Sequence, residues 1–189
     1  MEKIIMCKYH IRGIFCSKTR KMNFYLCPCE KWRIFVPMIS IKWNSKFSDL
    51  LKEHSFDIYL NEKLPTKLLE FLNEGIVLKD DCYYFKSMAA EYSDTFQDKT
   101  GNEAFNNKFY IDIFCYRKKP LSYLKISISF CWRLIEKLNT FNEQFRIILT
   151  YQSDFVNIRF HKFRKSDIEY LSENIDKYEN ECIVIFQNF

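Results

Sequence analysis

Glycine is nearly absent from this chain. Only Gly13, Gly75 and Gly101 occur in 189 residues, and no two lie close enough to build a glycine-rich phosphate loop. Rossmann and P-loop chemistry both need such clusters, so nucleotide-phosphate cradles of those kinds are excluded. No apolar run approaches the roughly 18 residues of a membrane span. At the N-terminus, Ile4, Ile5, Met6 and Cys7 are followed at once by Lys8, too short an apolar stretch for a secretory h-region. These absences predict a cytoplasmic protein with no membrane partner. Paired catalytic carboxylates, a glycine-flanked serine and an HExxH helix are missing too.

What is present is aromatic and thiol-rich. Phenylalanine and tyrosine number 19 and 12, and hydrophobic residues make up 48%. Such a chain can bury a core without disulfides or metals. The eight cysteines, in a chain without a secretory signal, are expected as reduced thiols. Cys115 in FYIDIFCY and Cys182 in CIVIF sit in apolar runs, where they read as small buried hydrophobes.

Residues 1–44 read as an antiparallel β-meander, with short apolar runs over 3–7, 12–16, 23–27 and 32–36. A short helix is predicted from Ser45, as N-cap, to His54. The clearest helix covers Leu64 to Asn73, with Pro65 in its first turn and Gly75 closing it. Strands over 76–79 and 82–86 flank an Asp80-Asp81 turn. Met88 to Phe96 reads as a weak helix and Phe56 to Leu60 as a short strand. Asp98 to Asn107 is polar and reads as a loop able to bind.

Lys108 to Arg117 reads as a strand in which Asp112, its lone acid, faces solvent. Leu124, Ile126, Ile128 and Phe130 alternate with polar residues, also as in a strand, before helical spacing sets in from Trp132. A hairpin is predicted over 144–160. An amphipathic helix over 164–178 follows, with Ser166 and Glu169 forming a capping box. Cys182 to Phe186 is apolar without alternation, the pattern of a central strand. The expected fold is α+β, a largely antiparallel sheet of hairpins with several packed helices. It forms a single domain over 1–189, with the meander at about 1–44 and a hairpin–helix–strand unit at about 144–187.

Charge is uneven. Residues 1–44 carry nine basic and two acidic residues, a net of +7. With Trp32 and Trp43 interleaved, this stretch reads either as a nucleic-acid-binding face or as a solvated sheet surface over core aromatics. Ser166–Glu181 carries six acids and one lysine, a net of −5. Its acids read either as a docking face for a basic partner or as an ordinary exposed helix. Cys7, His10, Cys27 and Cys29 supply zinc-type donors. The Cys-x-Cys spacing is tighter than zinc knuckles use, so structural thiols are the preferred reading and no cofactor is expected. His161, just past a strand, reads as a partly exposed structural histidine.

The stretch FRIILTYQSDFVNIRFHKFRKSDIEYLSENIDKYENECIVIF, residues 145–186, is a hairpin with an RFHK strand, an acidic segment and a closing apolar strand. It resembles the C-terminal part of bacterial immunity proteins, those encoded beside polymorphic toxins of contact-dependent growth inhibition. The resemblance implies a non-enzymatic inhibitor that binds one cognate toxin domain directly. The partner contacts expected are Glu169, Glu173, Asp176, Glu179, Tyr170, Trp32 and Trp43. Binding of nucleic acid by the basic meander is the alternative.

Overall fold

A computed structural model describes residues 4–6, 11–16, 21–26, 39–53, 60, 62–115, 119–152 and 155–189, the first three stretches by backbone alone. The order begins β1 (Ile4–Met6), β2 (Ile11–Cys16), β3 (Lys21–Leu26), β4 (Ile39–Trp43), α1 (Ser45–Glu53) and α2 (Thr66–Glu74). It continues β5 (Ile76–Lys79), β6 (Cys82–Phe85), α3 (Lys99–Asn106), β7 (Phe109–Tyr110) and α4 (Pro120–Leu138). It ends β8 (Phe145–Gln152), β9 (Phe155–Lys162) and β10 (Cys182–Asn188).

Eight strands join in one antiparallel sheet, in the order β1-β2-β3-β4-β10-β8-β9-β7, and β5-β6 form a separate hairpin. The fold is α+β, as expected. β10 lies between β4 and β8 and so holds the central position that its unbroken apolar run predicts. The strand read over 32–36 and the one over 56–60 fall on residues that are largely outside the described ones.

α4 covers the front face of the sheet. Ile41, Phe186, Ile147, Leu149, Ile158 and Phe160 of that face are fully buried, as are Leu124, Phe130, Leu134 and Leu138 of the helix. The aromatic excess is spent here. Phe71 lies 4.6 Å from Phe85 and 5.0 Å from Phe109, and Phe85 meets Phe160 edge-on at 4.9 Å between ring centres. Cys82, Cys115, Cys131 and Cys182 are buried, and burial pushes the Cys182 thiol up to about 11.

Three expected elements differ. The alternation over 124–130 belongs to α4, not to a strand. This helix is buried on nearly all sides, Ser127 and Ser129 included, so its sequence carries no solvent face to set a helical period. The Ser127 hydroxyl donates to the Tyr123 carbonyl one turn back at 2.7 Å, which satisfies it internally.

The polar stretch 98–107 is a helix rather than a loop. Asp98 caps α3 by accepting from the Gly101 amide at 2.6 Å. Its polar residues face inward and are satisfied: Asn107, fully buried, accepts from Phe85 N and donates to the carbonyls of Tyr83 and Phe160. α3 thus supplies by side chains the partners that the outer edge of β6 lacks. Beyond Tyr110 the expected strand leaves the sheet for a 3-10 turn, Ile111–Ile113. Residues 88–96 hold only a 3-10 turn, Ala89–Glu91.

Elsewhere local signals hold. Asp80 and Asp81, both at positive φ (53° and 63°), form the two-residue turn of the β5-β6 hairpin. α1 begins at Ser45, but its cap is Asn44, whose Oδ1 accepts from Phe47 N at 3.1 Å.

Candidate functional site

Strand alternation leaves a second face on the sheet, away from α4. It carries Lys42 of β4, Arg146 and Gln152 of β8, Phe155, Asn157, Arg159 and His161 of β9, and Gln187 of β10. Residues 163–181 cross this back face as an irregular strap. The expected helix over 164–178 is not formed; only Ile175–Lys177 makes a 3-10 turn.

Long-range partners explain the difference. The Arg146 guanidinium pairs with the Glu169 carboxylate and lies 4.4 Å from the centre of the Phe163 ring. Arg159 donates to the Tyr170 hydroxyl and packs over that ring at 4.9 Å. Thr100 donates its amide and hydroxyl to Asp167 at 3.1 and 2.8 Å, and Lys42 Nζ donates to the Glu173 carbonyl at 2.8 Å. Each contact holds the chain where it crosses, and together they outweigh a marginal amphipathic helix. Ser166, expected as a cap, donates instead to Asp167.

The strap roofs a cavity of about 300 Å³ lined by Ser40, Lys42, Arg146, His161, Glu169 and Gln187. His161 is buried there, only 2% exposed, and not partly exposed as expected. Its Nδ1 lies 3.0 Å from the Lys162 carbonyl, which only accepts, so Nδ1 carries the proton of the neutral ring. Burial lowers its pKa to about 4, and the nearby Arg146 and Arg164 push the same way.

Past the strap, the back face opens at the far end of the β8-β9 hairpin. A cleft of about 470 Å³ lies among Tyr110, Asp112, Ile113, Gln152, Phe155 and Asn157. Tyr110, Ile113 and Phe155 are 41%, 67% and 58% exposed. Asp112 is only half-buried overall, but its Oδ1 is buried with no hydrogen-bond partner. Apolar side chains gathered at a sheet edge and rimmed by polar ones mark interaction surfaces.

The expected contact residues scatter. Trp43 is in the core, 4% exposed, with its indole N–H donating to Ser48 Oγ, so it is no surface anchor. Glu169 and Tyr170 are half-buried against Arg146 and Arg159. Asp176 accepts from the Ser45 amide at 2.6 Å, leaving Glu173 and Glu179 as the exposed acids of the set. Trp32 and the zinc-type set Cys7, His10, Cys27 and Cys29 lie outside the described residues, as do the basic side chains of 1–38. Among the described residues, no group of three or more His, Cys, Asp or Glu is placed to hold a metal, and no helix is long and apolar enough to cross a membrane. The cleft around Asp112 was not anticipated. Its one sequence signal is an acid within the apolar run FYIDIF.

Residues 42–188 match the Uncharacterized protein PM0498 family. The chain belongs to this family. The match runs from the end of β4 through β10, and takes in both the strap and the cleft. No curated protein and no solved structure matches the chain.

Proposed function

We propose that this member of the PM0498 family is a non-enzymatic binding protein, an inhibitor of immunity type that seats a cognate toxin domain on the back face of its sheet. The observation that carries the reading is the exposure of Tyr110, Ile113 and Phe155 around one cleft at the sheet edge. Large side chains left in water at one place are the usual core of a contact surface, and aromatic ones concentrate its energy. Glu173 and Glu179, exposed on the strap, would add steering toward a basic partner. The likeness of residues 145–186 to immunity proteins supplies the class of partner.

The test is a complex. The product of a toxin-like reading frame beside the gene is mixed with this protein and the association measured by calorimetry. One-to-one binding is expected, lost in Phe155→Asp and Ile113→Asp variants that keep the parent melting temperature. Binding that ignores both substitutions would remove the cleft from the contact.

A further inference from the structure

We propose that the cleft beside Asp112 receives a single lysine or arginine side chain presented by the partner protein. The proposal rests on the partner-binding reading above and names what the partner brings.

The Asp112 Oδ1 atom is closed to solvent and accepts no hydrogen bond. The carboxylate is therefore short of partners, and because Asp112 is only half-buried and lines the cleft, a donor entering there meets the part of it that stays open. Among the described residues, the neighbours do not supply one. Asn157 turns its amide oxygen to Arg159 Nη2 at 3.2 Å. Lys108 holds its ammonium 5.0 Å from the centre of the Tyr110 ring rather than on the carboxylate. That contact also shows a ring at the cleft already engaging a cation.

The walls suit the rest of such a side chain. Tyr110, Ile113 and Phe155 offer apolar surface to a methylene stem, while Gln152 and Asn157 line the cleft with amides. A neutral apolar residue would fill the walls and leave the carboxylate unpaired. An acidic one would meet like charge. A basic residue satisfies wall and carboxylate together through a charge-assisted hydrogen bond.

The test uses N-acetyl-arginine methylamide and its uncharged citrulline counterpart, titrated into the isotope-labelled protein while the backbone amide resonances are followed. The arginine probe is expected to shift Tyr110, Asp112, Ile113 and Phe155 with millimolar affinity, and the citrulline probe to leave them in place. Asp112→Asn should weaken the arginine probe about tenfold or more. Phe155→Ala should weaken it less, while both variants keep a folded spectrum. Equal response to the two probes, or no response at these residues, overturns the proposal. The toxin complex separates the two levels. If Phe155→Asp abolishes the complex and Asp112→Asn leaves its affinity unchanged, the basic-anchor proposal fails and the partner-binding reading stands. If neither variant alters it, the reading itself fails.

Discussion

Arg164 grips Glu103 with both arms of its guanidinium: Nη1 donates to Oε2 at 2.7 Å and Nη2 to Oε1 at 3.1 Å. Glu103 is fully enclosed, and the Arg164 side chain is 9% exposed. The same carboxylate accepts from the amides of Tyr83 at 2.6 Å and Lys162 at 2.7 Å. One side chain of α3 thereby fixes β6, the end of β9 and the start of the strap. Burial pushes the Glu103 carboxyl up, while Arg164 and the two amides pull it back.

Removing that carboxylate should be severe. Glu103→Ala takes the carboxylate from a largely buried guanidinium, leaving it only the Asp81 and Lys162 carbonyls, and strips two backbone amides of their acceptor; breaking a buried pair costs about 3–5 kcal/mol. Urea denaturation would read this as an early midpoint with little change in slope. Replacing both Glu103 and Arg164 by Met should recover only part, because Tyr83 N and Lys162 N still lack an acceptor. A loss below about 1 kcal/mol in Glu103→Ala would contradict the arrangement.

His161 should make the protein acid-sensitive. Its folded pKa of about 4 lies below the ordinary histidine value of 6.5. Between the two, the unfolded chain takes a proton that the folded one refuses. The stability contribution is therefore complete above about pH 6.5 and falls as the pH drops toward 4, by at most about 1.4 kcal/mol per pH unit. Unfolding free energies at several pH values should show this slope, and a His161→Phe variant should show a shallower one over the same window.

Gly75 closes α2 at φ 95° and ψ −166°. Only glycine adopts this region readily, and a Cβ there would meet nothing within 4 Å. Gly75→Ala should thus cost only the backbone strain, about 1–3 kcal/mol, without a steric clash. A thermal melt measures it, and an unchanged melting temperature would show that the helix end can relax.

The strap acids should divide by role. Asp176 holds the first amide of α1, so Asp176→Lys removes an acceptor and sets a cation at the positive end of the helix. A loss of about 1–2 kcal/mol is expected. Glu173→Lys with Glu179→Lys alters exposed positions and should stay within about 0.5 kcal/mol of the parent. If that double variant also weakens the partner complex, the strap joins the contact surface. Equal destabilisation by both sets would refute the division.

By itself the sequence determined the elements whose causes are local. The Asp80-Asp81 hairpin, α2 between Pro65 and Gly75, the β8-β9 pairing and the central place of β10 each follow from a few neighbouring residues. Turn chemistry, caps and an unbroken apolar run act within one or two turns of chain. The tertiary structure decided the rest. Leu124 to Phe130 alternates like a strand, yet burial on nearly all sides removes the solvent face that would have marked a helix. Residues 98–107 look like a loop until Tyr83, Phe85 and Phe160 supply backbone partners for Glu103 and Asn107. Residues 164–178 have a helical pattern, but Arg146, Arg159, Thr100 and Ser45 draw their acids and Tyr170 across the sheet. The cleft joins Asp112 to Phe155, from different parts of the chain, and no local period records that meeting. Side chains distant in sequence become neighbours only once the strands pair, so their effect is written in the register of the sheet.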